Sequence, residues 1–309
     1  MPKISVIVPN YNHASYLKQR IESIINQTFQ DFELIILDDC STDNSKEIIE
    51  QYRNHPKISR ILYNSVNSGS TFKQWDKGVA LAEGEWIWIA ESDDFAEIYF
   101  LENLYKIINQ NDSISLCFAN SFVINESNNT KELYNEEFDL YKKNFCLDGN
   151  DLIKKFFSRG NIIPNASAVL FNKKFFKIAM PSFTDYKING DWFLWINILM
   201  GNKCAFTCEP LNYFRRHKGA GSPKNIINFK NIEEAMRINV FLRRNGYKVD
   251  FHNKSWLSSW LGQANFSPAK ILSLNFIPIY KEAIKLYFPL PVGCYLIYRI
   301  CKFKIKRKL

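Results

Sequence analysis

Short apolar runs alternate with amphipathic stretches along the first hundred residues. The runs with the length and apolar character of buried strands are residues 4–8, 32–37, 58–63 and 86–90. Between them, apolar residues recur at helical spacing, first from Leu17 to Ile25. This alternation predicts an α/β fold with a mainly parallel central sheet flanked by helices, in which ligands bind at the C-terminal ends of the strands.

After residue 100 the alternation is less regular. Apolar residues from Leu101 to Ile108 predict a helix, and another helix is predicted to begin at Gly190. Residues 126–143 are polar and predict an irregular insertion, whereas the pattern from Ser222 onward is helical. Further strands are predicted at residues 114–118, 166–171, 204–207 and 211–216.

The chain of 309 residues is long for one compact unit. We predict an α/β domain over residues 1–220, with halves at 1–100 and 101–220, and a helical C-terminal region over residues 221–309. The 25 Phe, 15 Tyr and 7 Trp favour an ordered globular protein. The seven Cys contain no C-x-x-C pair, a pattern that favours reduced thiols over disulfides or a zinc site. Since Met1-Pro2-Lys3 leads straight into a strand without a signal-peptide pattern, we expect a cytoplasmic protein.

Positive charge is concentrated near the C-terminus. Residues 281–309 carry eight Lys or Arg and one Glu, out of a net charge of +9 for the chain. Nucleic-acid binding would require basic residues spread over a folded face, so this distribution disfavours it. The uncharged stretch 286–298 is too short to span a bilayer. Together with the basic residues after it, the stretch predicts peripheral attachment to an anionic membrane surface; the alternative is a tail that packs on the main domain.

An acidic cluster, Glu91-Ser92-Asp93-Asp94, directly follows the apolar run 86–90. Its three carboxylates would repel one another unless a cation lay between them. Mg²⁺ or Mn²⁺ is the usual cation, and it normally brings phosphate oxygens with it. The alternative is an acidic turn in which Asp94 caps the next helix. Taken alone, the cluster favours neither reading.

Two more polar sites follow predicted strands. After the first strand, Tyr11 is placed to stack on a planar base, although a tyrosine at the edge of the core is the commoner case. After the second strand, Asp38 and Asp39 are placed to accept hydrogen bonds from a uracil ring or ribose hydroxyls. A turn in which Ser41 or Thr42 caps the following helix explains the same residues equally well.

Two sites lie further along the chain. Asp191, at a predicted helix start, is a candidate general base for an attacking hydroxyl, with a helix cap as the default reading. In Arg215-Arg216-His217, the arginines suit phosphate and the imidazole suits a metal or phosphate, with a basic surface turn as the alternative. The absence of a P-loop and of G-x-G-x-x-G after the first strand disfavours P-loop NTPases and dinucleotide oxidoreductases.

As an ordered set over about residues 1–217, these segments resemble the inverting glycosyltransferases of family 2, which have the GT-A fold. The matching segments are Ser5-Val6-Ile7-Val8-Pro9-Asn10-Tyr11-Asn12, Asp38-Asp39-Cys40-Ser41-Thr42-Asp43, Ala82-Glu83-Gly84-Glu85-Trp86-Ile87, Glu91-Ser92-Asp93-Asp94 and Gly190-Asp191-Trp192. The resemblance implies transfer of a sugar from a nucleotide-sugar donor, most often UDP-linked. The expected acceptor is a saccharide or lipid-linked oligosaccharide, as in bacterial surface-polysaccharide synthesis.

The resemblance also implies roles for individual residues. Asp191 is expected to be the catalytic base. The residues expected to hold Mn²⁺ or Mg²⁺ are Asp93, Asp94, Glu91 and His217. Those expected to bind the nucleotide are Pro9, Tyr11, Asp38, Asp39 and Lys73. The chain departs from the family at three positions. It has Glu91 where the family usually has Asp, Gly190 where Glu is frequent, and Asp76 where Asn is common.

Two other function classes fit parts of the sequence. A non-catalytic nucleotide-sugar-binding or scaffold protein would explain the tail, but it would not need Asp93, Asp94 and Asp191 together. A nucleotidyltransferase would need a Gly-rich loop with Arg or Lys after the first strand, where residues 10–15 offer only His13.

Overall fold

The computed structural model describes residues 1–176, 183–217 and 230–248. Ten strands of these residues form one sheet. The strands are β1 (Ile4–Asn10), β2 (Phe32–Asp38), β3 (Ile58–Tyr63), β4 (Trp86–Ile89), β5 (Phe95–Ala96), β6 (Ile114–Asn125), β7 (Thr130–Leu133), β8 (Phe145–Asp148), β9 (Val169–Asn172) and β10 (Lys203–Arg216). The α-helices are α1 (Ala14–Ile25), α2 (Ser45–Gln51), α3 (Thr71–Leu81), α4 (Phe100–Ile108), α5 (Gly149–Leu152), α6 (Lys173–Phe176), α7 (Gly190–Leu199) and α8 (Lys230–Arg244).

The strand order places several C-terminal strand ends at one edge. The order is β3-β2-β1-β4-β9-β6-β10-β5, with β7 beside β6 and β8 beside β10. Strands β3, β2, β1 and β4 are parallel, as the sequence predicts. Strand β9 runs antiparallel to both β4 and β6, and β10 is parallel to β6. Therefore β10 points in the same direction as β1, and its C-terminal end lies at the same edge as those of β1, β2 and β4.

Three of the four parallel strands are buried because their apolar residues pack against helices, whereas β3 at the edge is partly exposed. Every residue of β1, β2 and β4 is buried, and Leu17, Ile21 and Ile24 of α1 belong to the same core. One buried carboxylate, Glu33 of β2, is fully engaged in this region. It accepts hydrogen bonds from Ser5 Oγ, Ser59 Oγ and the backbone N–H of Glu83, and so joins β1, β3 and the turn before β4.

Several elements differ from the sequence prediction. Strands β5, β7 and β8 were not predicted, and all three pair antiparallel at the margins of the sheet. The predicted strands at 204–207 and 211–216 form one strand, β10, with an irregular register around Pro210. The predicted cap at Ser41 or Thr42 is wrong: α2 begins at Ser45, because Asp38 binds Ser41 in a turn.

The chain divides into two compact units. The first comprises Met1–Ile153, Asn161–Tyr186 and Gly190–Ala220, and the second comprises the remaining residues. Within the second unit, the buried Glu234 of α8 accepts hydrogen bonds from the backbone N–H groups of Lys187, Ile188 and Asn189. Among the helices of the described residues, none combines the length and the apolar character that a membrane-spanning segment requires. The basic tail at 281–309 lies outside the described residues.

Candidate active site

Polar side chains join the loops that follow β1 and β2. Asp38 accepts hydrogen bonds from Asn10 Nδ2 at 2.8 Å and from the N–H and hydroxyl groups of Ser41. The amide oxygen of Asn12 accepts from the backbone N–H of Thr42 at 2.7 Å. Pro9, beside Leu37 in the sheet, is buried. Because the Asp38 carboxylate is 3% exposed, its observed role is to hold this edge together.

Asp39 organises a different loop. Its Oδ1 accepts hydrogen bonds from Asn64 Nδ2, the Ser68 backbone N–H and Gln74 Nε2, and its Oδ2 accepts from Ser68 Oγ. The same loop receives the exposed Lys73, whose Nζ lies 3.4 Å from the Ser68 carbonyl. Of the predicted nucleotide-binding residues, Tyr11 and Lys73 are exposed, and Tyr11 is 47% exposed. Its ring is therefore accessible to a planar ligand.

Asp93 and His217 meet at the shared sheet edge, one from the end of β4 and the other from the end of β10. His217 Nε2 lies 3.0 Å from Asp93 Oδ2. His13, in the loop after β1, is the third member of this cluster, and one ligand atom from each of the three lies within 4.8 Å of the others. The hydrogen bond to Asp93 raises the pKa of His217, while burial lowers the pKa of His13. Burial opposes ionisation of Asp93, but the two imidazoles hold its pKa below the ordinary value.

Asp94 points away from this cluster and is 2% exposed. Its Oδ2 accepts hydrogen bonds from Asn165 Nδ2 and from Ser167 Oγ, and its Oδ1 accepts from the backbone N–H of Arg215 at 2.9 Å. Burial and the charge of Asp93 raise its pKa. The alternative prediction, in which Asp94 caps the next helix, is wrong, since β5 follows and α4 begins only at Phe100.

Glu91 faces a third direction, toward α3. Trp75 Nε1 donates to its Oε1 at 2.7 Å. Burial, with the nearby charge of Asp93, raises the pKa of Glu91 to about 8. The three predicted carboxylates thus have different partners, and of these only Asp93 belongs to the histidine cluster.

Two arginines lie beneath the acidic segment. Arg20 of α1 is fully buried, and it donates to the Glu91 carbonyl at 2.8 Å and to Ser167 Oγ at 2.7 Å. Arg215 of β10 donates to the Asp93 carbonyl at 2.6 Å and pairs with Glu126. Since Arg215 is 7% exposed, the reading of its segment as a basic surface turn is wrong. Both cations offset the negative charge collected at the end of β4.

Asp191 lies in the first turn of α7, and Asn161 Nδ2 donates to its Oδ2 at 2.8 Å. Gly190 precedes it where the family often has Glu. A Cβ at Gly190 would lie 2.7 Å from the ring of Phe72, which is itself buried in α3. A larger residue therefore does not fit at position 190 without displacing that ring, and Asn161 supplies a hydrogen bond to the Asp191 carboxylate.

Sequence reasoning did not identify His13, Arg20, Asn161 and Ser167 as site residues. Arg20 and Ser167 meet only in the fold, being 147 positions apart, so no local pattern marks them. His13 carried a usable signal, because it stands in a loop after a parallel strand, at the edge where ligands bind.

Comparison with known proteins places the chain among sugar transferases. A sequence model of glycosyl transferase family 2 matches residues 5–169. Glycosyltransferase GlyG of Streptococcus pneumoniae is 29% identical over 229 residues, which are 70% of this chain and 72% of GlyG. Poly(ribitol-phosphate) beta-N-acetylglucosaminyltransferase TarS of Staphylococcus aureus is 36% identical over 117 residues, 37% of this chain and 20% of TarS.

Solved structures show the same fold. TarS residues 1–349 in complex with UDP-GlcNAc match with a TM-score of 0.66 at 20% identity, over 91% of this chain and 79% of that one. The mannosyltransferase PcManGT from Pyrobaculum calidifontis, in complex with GDP-Man and Mn²⁺, matches with a TM-score of 0.55 at 15% identity, over 97% of this chain and 80% of that one. Because the family model spans more than half of the chain, the protein belongs to glycosyl transferase family 2, and it has the GT-A fold.

Proposed function

We propose that this protein transfers a sugar from a UDP-linked donor to a hydroxyl of a saccharide or lipid-linked saccharide, with inversion at the anomeric carbon. The observation that carries the proposal is the meeting of Asp93 and His217 at the sheet edge that also holds Tyr11 and Asp39, in a member of family 2. TarS, which binds UDP-GlcNAc, supports the choice of nucleotide. We propose that the acceptor comes from bacterial surface-polysaccharide synthesis. The similarity to TarS, which is named for poly(ribitol phosphate), supports this proposal.

The base of the donor would lie between Tyr11 and Asp39. The exposed ring of Tyr11 offers an aromatic face for stacking. Of the Asp39 oxygens, Oδ2 receives one hydrogen bond and Oδ1 three, so Oδ2 has the greater capacity to accept from a uracil ring N–H. Lys73 borders the same loop and supplies a positive charge toward the diphosphate. Pro9 and Asp38 would support the loops around the base from below, since both residues are buried.

A divalent metal fits the donor set at the edge of the sheet. Asp93 and His217 would hold Mn²⁺ or Mg²⁺, which supplies positive charge to the leaving diphosphate. Asp94 and Glu91 support the site by other means, because their carboxylates are engaged by Asn165 and Ser167 and by Trp75. Asp94 also accepts a hydrogen bond from the backbone N–H of Arg215, and the guanidinium of Arg215 donates to the backbone carbonyl of Asp93.

Asp191 would act as the general base. It takes the proton of the acceptor hydroxyl while that oxygen forms its bond to the anomeric carbon. The bond from that carbon to the phosphate oxygen breaks at the same time, and the nucleoside diphosphate leaves with the electron pair. Asn161 holds the Asp191 carboxylate in one orientation for this step.

A screen of nucleotide sugars tests the proposal. UDP-, GDP- and dTDP-linked sugars are incubated with the full chain and Mn²⁺, and nucleotide release and donor binding are measured in parallel. The proposal expects release from UDP-sugars, with weaker signals from the others. Donor binding without turnover for any candidate acceptor would favour a non-catalytic binding protein, and preference for a GDP-sugar would contradict the assigned nucleotide.

We also propose that the protein works on the inner face of the cytoplasmic membrane. The supporting observation is the sequence of residues 281–309, in which Lys and Arg alternate with apolar residues toward the end. A lipid-linked acceptor would then be presented at the surface to which this tail binds.

A further inference from the structure

We infer that His13 is a third ligand of the metal site, which gives it two imidazoles and one carboxylate and makes it selective for Mn²⁺ over Mg²⁺. The inference rests on the proposed function for the role of the metal. It concerns the ligand set itself, however, and can be tested without donor or acceptor.

The geometry places three ligands around one point. The rings of His13 and His217 have centroids 5.5 Å apart and lie at 81° to each other, so they approach the space beside Asp93 from two directions. The ligand atoms of His13, Asp93 and His217 all lie within 4.8 Å of one another. Ligands of one transition-metal ion, each about 2.0–2.2 Å from it, lie roughly 3–4 Å apart. A closure of about an ångström therefore completes the set.

Ser92 supports His13 from behind. Its hydroxyl lies 2.8 Å from His13 Nδ1, and the serine is 1% exposed. A hydrogen bond to one ring nitrogen is the usual way in which a protein orients a ligating histidine. Because Ser92 engages Nδ1, we assign Nε2 to the metal. Ser92 stands next to Asp93, so the same short segment positions two of the three ligands.

The neighbouring carboxylates are committed to other partners. Both oxygens of Asp94 accept hydrogen bonds from Asn165, Ser167 and Arg215, and Glu91 accepts from Trp75. We therefore infer a set of two nitrogens and one oxygen, in place of the three carboxylates and one imidazole that the sequence predicts. Mg²⁺ prefers oxygen ligands in strict octahedral geometry. Mn²⁺ also favours oxygen, but as a first-row transition metal it accepts imidazole nitrogen more readily than Mg²⁺ does. This difference in ligand chemistry is the basis of the expected preference for Mn²⁺.

Pulsed electron paramagnetic resonance of bound Mn²⁺ tests the ligand set directly. The full chain is stripped of metal, loaded with Mn²⁺ alone, and examined for coupling to imidazole ¹⁴N. We expect coupling to two imidazoles in the wild type, one in His13→Gln and two in His55→Gln, a control histidine outside the cluster. One imidazole in the wild type would overturn the inference, and this measurement does not depend on whether the variant folds.

Metal titration provides the second readout. His13→Gln should weaken Mn²⁺ binding at least about tenfold and reduce the preference for Mn²⁺ over Mg²⁺, while His55→Gln leaves both unchanged. Equal Mn²⁺ affinity in wild type and His13→Gln, or a wild type that prefers Mg²⁺, would contradict the inference. If two imidazoles bind Mn²⁺ but no nucleotide sugar is consumed, the ligand set stands and the proposed function fails. If only one imidazole binds Mn²⁺ but the enzyme is fully active, the inferred ligand set fails and the proposed function stands.

Discussion

Asp93 and Asp94 are adjacent carboxylates with different surroundings. Asp93 faces two imidazoles, whereas Asp94 is buried against the hydroxyl of Ser167, the amide of Asn165 and the backbone of Arg215. An acidic cluster in a sequence shows that negative charge is concentrated there, but it does not show which carboxylate would contact a metal ion. That distinction depends on partners more than 70 positions away along the chain.

Substitutions of Asp93 and Asp94 should therefore have different effects, the first on metal binding and the second on stability. Asp93→Ala should weaken Mn²⁺ binding at least about tenfold, because it removes a ligand. Asp94→Ala should lower the free energy of unfolding by about 1–3 kcal/mol, because it leaves buried donors without an acceptor. Urea denaturation and Mn²⁺ titration of both variants check this. A larger loss of Mn²⁺ affinity in Asp94→Ala than in Asp93→Ala would reverse the assignment.

Asn161 should act on turnover through Asp191. Removing its hydrogen bond to the carboxylate in Asn161→Ala should lower kcat roughly 10- to 100-fold, the equivalent of one hydrogen bond to a charged group, while the donor KM stays unchanged. Asn103→Ala is the matched control, since in the described contacts the Asn103 side-chain amide donates only to the carbonyl of Tyr99, the residue before α4. A donor KM that rises as much as kcat falls would indicate a general loss of structure.

At the scale of elements, the sequence predicted the parallel half of the sheet and the helices α1, α2, α3, α4 and α7, although it placed the start of α2 too early. Long apolar runs and helical spacing carry this information. The short strands β5, β7 and β8 were missed because pairing with a neighbour, rather than their own pattern, makes them strands.

The candidate site was also predictable in part. Tyr11, Asp39, Asp93, His217 and Asp191 could be named as candidates from the sequence. The roles of Asn161 and Ser167 could not, because they arise only from tertiary contacts.

The Glu33 network joins three strands and should make stability depend on pH. Burial favours the neutral form, but hydrogen bonds from Ser5, Ser59 and the Glu83 backbone outweigh it and hold the pKa of Glu33 below its ordinary value of 4.5. The ionised group therefore stabilises the fold above pH 4.5, and this contribution is lost as the pH falls through the pKa in the folded protein.

Glu33→Gln should accordingly cost about 1–3 kcal/mol of unfolding free energy at pH 7. As the pH falls from 4.5 through the lower pKa of Glu33 in the folded protein, the difference from the wild type should shrink, since the wild-type carboxyl becomes neutral as well. Urea denaturation across this pH range measures both values. A difference that stays constant, or that grows in acid, would contradict the role assigned to the ionised carboxylate.

At the scale of the whole molecule, charge is divided unevenly between the body and the tail. The five basic residues from Lys302 to Lys308 should bind anionic vesicles, at about 1 kcal/mol for each residue near the surface. A full-length variant with these five changed to Gln should float with phosphatidylserine vesicles much less than the wild type. Equal flotation of the two proteins, or flotation of the wild type with neutral vesicles alone, would show that the tail does not direct membrane binding.

The central claim is that Asp191 takes the acceptor proton in a transfer from a UDP-sugar. Turnover and donor binding of Asp191→Asn, measured side by side with the UDP-sugar that the screen identifies, test it most directly. Asp112→Asn, at an exposed position between α4 and β6, is the control. The claim predicts that Asp191→Asn lowers kcat about 10²–10⁴-fold and leaves the donor Kd unchanged. Donor affinity that falls in proportion to activity, or turnover at the wild-type rate, would contradict it.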